Sequence, residues 1–197
     1  KTTFGLGYGS FNSLRVFGEY NSGIKNKKAL YVRASQIYSD GYKYHSSNNS
    51  QSVFLSGGLF HYKSIWKLNF LAGHQQNDMA WLGVTDSLID IDRRTNSNSN
   101  QEKDRFLQTL TQLKNSWQIG QFSSLETSIY HTFLKGNYGF DFNNFIGLSS
   151  TDELYNYAFQ SNLVGFFSNF TLSKKQFNLI SGVHGNIYNR QHTGSEK

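Results

Sequence analysis

Residues 66–73 read Trp66-Lys67-Leu68-Asn69-Phe70-Leu71-Ala72-Gly73. Trp66, Leu68, Phe70 and Ala72 share one parity, and Lys67, Asn69 and Gly73 the other. That is the period of two expected of a strand with unlike faces. The pattern continues in both directions. Upstream, Phe4, Leu6 and Tyr8 alternate with glycines, Leu14, Val16, Gly18 and Tyr20 with Ser13, Arg15 and Glu19, and Leu30, Val32 and Ala34 with Arg33 and Ser35. Val53, Leu55, Gly57 and Leu59 form the next run. Downstream, Leu107, Leu113, Trp117 and Ile119 keep one parity with Thr109 and Thr111, and Leu125, Thr127, Ile129 and Phe133 keep another with His131. Tyr155, Tyr157, Phe159, Leu163 and Phe167 alternate with Asn156, Gln160, Asn162 and Ser168. Phe177, Leu179, Val183 and Ile187 mark a last run. About nine strands follow, each long enough for the 9–11 tilted residues that cross a bilayer in a barrel.

Composition agrees. The 197 residues include 17 Phe and 12 Tyr but no Pro and no Cys. Average usage would supply roughly ten prolines, so their absence fits long ladders that need nearly every N–H. Without cysteine there is no disulfide framework, thiolate metal site or cysteine nucleophile. The formal charge of +6 raises the question of nucleic acid. Its lysines are scattered, however, and the small groups Lys25, Lys27, Lys28 and Lys174, Lys175 fall at turns, so no nucleic-acid partner is expected.

The connections sort by length. After a tight turn at Phe11 and Asn12, the stretches 21–28, 61–64, 120–123 and 173–176 are short, whereas 39–50, 75–104 and 136–152 are long. Short turns on one rim and long loops on the other are the habit of an outer-membrane barrel. Arg15, Glu19, Arg33, Asn69, Gln160 and Asn162 are expected to line a wet lumen. Ile37, Phe54, Phe60, Leu71, Val164 and Phe166 break that parity. Tyr8, Tyr20, Tyr38, Trp66 and Trp117 lie near strand ends, where an aromatic girdle belongs.

Gly9-Ser10-Phe11-Asn12, Asn21-Ser22-Gly23, Ser39-Asp40-Gly41-Tyr42, Ala80-Trp81-Leu82-Gly83-Val84, Asp86-Ser87-Leu88 and Arg94-Thr95-Asn96, followed by Asp104 entering a strand, form an ordered set. In this order the chain resembles the TonB-dependent receptors, especially the iron-complex and related receptors of Bacteroidota-type bacteria. The resemblance implies an all-β, antiparallel transmembrane barrel of 22 strands around a separate plug. Residues 1–197 are then a partial barrel domain of about nine strands, roughly the second to the tenth, with plug and remaining strands outside it. It also implies uptake across the Gram-negative outer membrane, coupled to TonB through the plug. An iron complex, siderophore or haem, ranks first as cargo. Outer-membrane lipid is an expected neighbour, and room is left for a surface lipoprotein partner. No folding cofactor is expected.

Catalytic signals are weak. The run Gly5-Leu6-Gly7-Tyr8-Gly9 lacks the strand-to-helix setting of a dinucleotide loop. The six histidines show neither HxH nor HxxxH spacing, so no metal site is assigned, although His45 and His74, near Asp78 and Met79, are placed where they could meet above the lumen. Asp90 with Asp92 and Asp152 with Glu153 read as loop carboxylates. No enzyme is expected. The candidate ligand-binding residues are Tyr42, Tyr44, His45, His74, Trp81, Arg93 and Arg94, whose aromatic faces and positive charge suit an anionic or aromatic iron chelate. Against this stands a role for Asp40, Tyr42, Trp81 and Asn96 in folding the loops over one another. Two other classes stay open: a passive porin-like or small independent barrel, and a soluble carbohydrate-binding β-sandwich using Trp66, Trp81 and Trp117 as platforms.

Overall fold

The computed structural model describes residues 1–151 and 153–196; Asp152 of the Asp152/Glu153 pair, and Lys197, lie outside them. The described residues form β1 (Thr2–Gly9), β2 (Ser13–Asn21), β3 (Lys28–Ser39), β4 (Asn48–Phe60), β5 (Ser64–Asp78), β6 (Lys103–Gly120), β7 (Ser123–Phe140), β8 (Tyr155–Lys174) and β9 (Phe177–Glu196). Two short helices, α1 (Asp86–Ile91) and α2 (Phe142–Phe145), interrupt the loops before β6 and β8. Each strand pairs antiparallel with the next, giving one sheet in sequence order.

Turn chemistry explains the tight ends. Phe11 and Asn12 have φ of 58° and 52°, and Asn26 and Lys27 have φ of 48° and 62°. Two consecutive positive φ values define the type I′ turn, whose twist matches that of the flanking strands. Phe11 is an unusual occupant of that region. It is held there by its carbonyl, which accepts the Asp40 N–H at 2.9 Å, and by Asn12, which donates to the Asp40 carboxylate at 2.6 Å.

The strands run further than the alternation does. β5 reaches Asp78 and β6 begins at Lys103, so the longest loop is 79–102 rather than 75–104, and β7 extends to Phe140. Gln75, Gln76 and Asn77 pair with Phe106, Arg105 and Asp104 in unbroken register. Polar side chains on both faces leave no period-two signal to read there, while the backbone ladder continues.

Directly paired residues share a face, so the register fixes which side each residue occupies. Leu30, Leu68, Leu113, Ile129 and Phe166 lie in a single pairing row, through Gly57, on one face. Following Leu6 across the sheet leads through Val16, Gln36, Gln51, His74, Leu107, Lys135 and Gln160 to Gln191. The centre of the apolar run, however, moves from Leu6 on β1 to Val183 on β9. The band therefore slips by about one residue per strand. With a rise of roughly 3.3 Å and strands about 4.8 Å apart, this corresponds to a tilt of ~35° for a level band, the value of a barrel wall.

The same register corrects one expectation. On β8 the odd residues Tyr155, Tyr157, Phe159, Leu163 and Phe167 share the face of Arg15, Glu19, Arg33 and Asn69, whereas Gln160, Asn162, Val164 and Phe166 share that of the apolar band. Gln160 and Asn162 consequently do not line the lumen side. Val164 and Phe166 cease to be exceptions. Ile37, Phe54, Phe60 and Leu71 do lie on the Arg33 face.

Among the described residues no hydrophobic side chain is buried, and the accessible surface is 13240 Å². A compact protein of this mass exposes about 9,500 Å². A single layer accounts for the excess and overturns the β-sandwich reading, which needs two packed sheets. β1 and β9 do not pair with each other among the described residues, so these strands by themselves do not close into a small independent barrel.

Candidate functional site

On β4 the residues of the Arg33 face are repeatedly less exposed than their neighbours, as on the concave side of a curved sheet. Polar groups bridge strands along this side. The Glu19 carboxylate accepts from the Tyr31 hydroxyl at 2.9 Å and pairs with Arg33 at 3.1 Å. The Arg33 guanidinium stacks over Phe17 at 4.3 Å. Ser56 donates to Asn69, Asn69 donates to Gln112, and Lys114 pairs with Glu126 at 2.7 Å. Such a face suits water, which solvates the polar groups it reaches; the Ser128 hydroxyl, opposite Lys114 on the same face, is buried without a hydrogen-bond partner.

The three long loops meet at one rim and are tied together by side chains. The Arg94 Nε donates to the Tyr42 carbonyl at 2.8 Å, and the Tyr44 N–H donates to the Arg94 carbonyl at 2.9 Å. Its guanidinium stands over the rings of Tyr44 at 4.5 Å and Phe11 at 5.5 Å. The Asn96 amide donates to the carbonyls of Tyr44 at 2.8 Å and of His45 and Met79 at 3.0 Å. Nε2 of His45 lies 2.8 Å from the Glu102 carbonyl, and its Nδ1 lies 3.7 Å from Asp78. Tyr42, Tyr44, His45 and Arg94 are thus brought together, with much of their bonding spent on fixing the loops. Trp81 packs on Phe145 of α2 with centroids 5.5 Å apart. Arg93 is exposed. His74 lies elsewhere: it sits within β5 on the outer face, 3.2 Å from the Gln51 side chain. His45 and His74 therefore do not form one site, because β5 continues past His74 to Asp78. Among the described residues no three His, Asp or Glu side chains cluster as a metal site.

Two buried carboxylates complete the loop assembly. Glu102 accepts from the Asn98 amide at 3.1 Å, the Ser99 N–H at 2.6 Å and the Asp141 N–H at 3.1 Å. Asp141 caps α2 through the Asn144 N–H at 3.1 Å and accepts from the Ser150 hydroxyl at 2.6 Å and the Thr151 N–H at 2.9 Å. Burial raises its pKa, but the bonds from Ser150 and the backbone N–H groups outweigh it and leave the carboxyl below its ordinary range. Asp40 is held low by hydrogen bonds from Tyr38 and Asn12. Neither Glu102 nor Asp141 was a candidate from sequence. The signal available was the aspartate three residues before Asn144, an N-cap spacing.

Below these loops, the concave face carries an aromatic wall. Tyr138 and Tyr157 lie at 5.6 Å and 21°, Phe140 and Tyr157 at 5.7 Å and 12°. Phe106 and Phe159 meet at 5.7 Å across Gly136, which has no side chain to separate them. Arg190 stands over Phe159 at 4.6 Å, with His192 beside it at 6.2 Å. Phe140 and Phe145, 6.0 Å apart, join the wall to the loops. Flat faces edged by cations can hold an anionic or aromatic molecule by stacking and charge. Sequence reasoning missed this wall because it placed Tyr155, Tyr157 and Phe159 on the outer face.

An antiparallel wall with a tilted apolar band and a looped rim is the architecture of part of an outer-membrane-type β-barrel. No family model matches the chain, and no curated protein is significantly similar to it. Solved structures are similar in fold. The siderophore receptor PiuA from Acinetobacter baumannii gives a TM-score of 0.78 at 11% identity over 96% of this chain and 30% of that one. The ferric preacinetobactin receptor BauA from Acinetobacter baumannii gives 0.75 at 9% over 98% and 31%, and the ferric citrate transporter FecA gives 0.75 at 11% over 99% and 29%. The chain spans about a third of the length of these proteins. They lend no support to the narrower Bacteroidota-type resemblance.

Proposed function

We propose that the chain is part of the barrel wall of an outer-membrane receptor that takes up an iron chelate. The observation that carries this reading is the division of one sheet into a tilted apolar band outside and a polar, aromatic-walled surface inside. The fold neighbours support it, since their names describe siderophore, ferric-complex and ferric-citrate proteins. The remaining strands and the plug are assigned to the rest of a longer polypeptide, and they supply partners for the open edges of β1 and β9. Uptake is coupled to TonB through that plug, and a surface lipoprotein is a further candidate partner. The ligand meets the loop rim first and then the wall of Tyr138, Tyr157, Phe159 and Arg190. Tyr42, Tyr44, His45, Trp81, Arg93 and Arg94 frame the entrance. No reaction is assigned.

The test uses the complete polypeptide in iron-starved cells. Expected results are recovery in the outer-membrane fraction, binding of a ferric chelate from a panel of catecholate, hydroxamate and citrate complexes, and accumulation of labelled iron that stops when TonB is deleted. Uptake that continues without TonB would favour the porin-like alternative. Recovery in the soluble fraction without detergent would sink both.

A further inference from the structure

The rim opposite the long loops is basic at three of its four turns. Its turns, 22–27, 61–63, 121–122 and 175–176, contain no acidic residue, and Lys25, Lys27, Lys28, Lys63, Lys174 and Lys175 lie in or beside them. The long loops carry Asp40, Asp86, Asp90, Asp92, Glu102 and Asp141. Among the described residues none of these rim lysines pairs with a carboxylate. A groove of about 620 Å³ on the apolar face ends at Lys25 and Lys28. Its floor is Gly57, directly between Leu30 and Leu68 in the pairing rows. A methyl group added at Gly57 would meet nothing within 4 Å, so the notch is open rather than filled by neighbours. Lys28, Leu59 and Trp66 form the next row toward the rim.

An acyl-chain-sized apolar channel, an indole beside it and unpaired ammonium groups at its end match one amphiphile. The structure assigns to this groove an anionic glycerophospholipid of the leaflet at the short-turn rim. One chain lies over Gly57 between Leu30 and Leu68, and the phosphate sits against Lys25 and Lys28. A zwitterionic lipid offers the same chain without the net charge, so charge sets the preference. This inference rests on the proposed membrane location.

The complete polypeptide is reconstituted in vesicles containing either dibrominated phosphatidylglycerol or dibrominated phosphatidylcholine at equal mole fraction. Quenching at Trp66 is the difference between the protein and its Trp66→Phe variant. At 0.15 M salt, the anionic lipid is expected to quench about threefold more effectively, with the preference shrinking at 1 M salt. Lys25→Gln with Lys28→Gln brings the two lipids to parity, and Lys174→Gln, outside the groove, changes nothing. Equal quenching in the unsubstituted protein, or a preference that survives the double substitution, overturns the lipid site and leaves the membrane reading intact. Absence of quenching by either lipid overturns both.

Discussion

The Glu102 carboxylate accepts the backbone N–H of Asp141 at 3.1 Å, joining the base of one long loop to the start of another. Both residues are fully buried. Glu102→Gln places an NH₂ among groups that are all donors, and leaving one buried donor unsatisfied costs about 1–3 kcal/mol. Amide exchange in 79–102 and 141–154 should quicken by roughly ten- to a hundredfold, with far-UV circular dichroism unchanged. Unchanged exchange would show that the carboxylate does not hold the loops.

Asn96 offers a second, separable test. Its amide feeds three carbonyls from two loops, so Asn96→Ala should expose 40–47 to proteolysis. Asn96→Asp should do more damage than alanine, because a carboxylate would face acceptors. Equal cleavage of the two variants would contradict this.

Asp141 gives the pH response a sign. Its folded pKa lies below the ordinary aspartate value of 3.8, so its stabilisation is complete above that value and is lost as pH falls through the lower folded one. Segment 141–151 should remain ordered at about pH 5 and loosen only in stronger acid. Asp141→Asn should flatten this dependence. Hydrogen exchange followed across pH, corrected for intrinsic rates, distinguishes the two.

The register of β8 can be checked with a neighbouring pair. Phe166→Lys places a charge in the outer band and should cost about 2–4 kcal/mol in a bilayer-folded barrel, whereas Phe167→Lys, on the concave side, should cost far less. Urea unfolding of the complete protein in vesicles measures both. The reverse order would restore the parity read from sequence.

For the aromatic wall, Tyr157→Ala removes a ring stacked on both Tyr138 and Phe140. Chelate affinity should fall about three- to tenfold while folding, followed by heat-modifiable gel mobility, is retained. An unaltered affinity would move the ligand away from the wall.

Sequence reading found the strands because Trp66, Leu68 and Phe70 lie where one face is apolar and the other polar. It failed on β8 for a physical reason. At Tyr155–Phe159 the strand has left the apolar band, and its bulky residues turn toward the loops and concave side instead. Hydrophobicity alone does not say which face is which, whereas register does. The loop ties were equally hidden. The bond from Asp141 to Glu102 and those between Arg94 and the 42–44 segment cross from one loop to another, and no local spacing reveals them. Tyr42, Tyr44 and Arg94 stood out by chemistry, yet the structure gives them one another as partners.

The extra length of the later strands has a consequence in height. On β8 the band centres near Ser168, and Tyr157 lies further along the same strand. With a rise of roughly 3.3 Å per residue at ~35°, and a hydrocarbon band about 25 Å tall, the wall stands roughly 15 Å beyond the lipid edge. In the proposed membrane setting, each strand is a post with its foot in the membrane and its head in water. On that reading anchoring and recognition fall on different storeys, so substitutions on the upper one would alter cargo without touching the foundations.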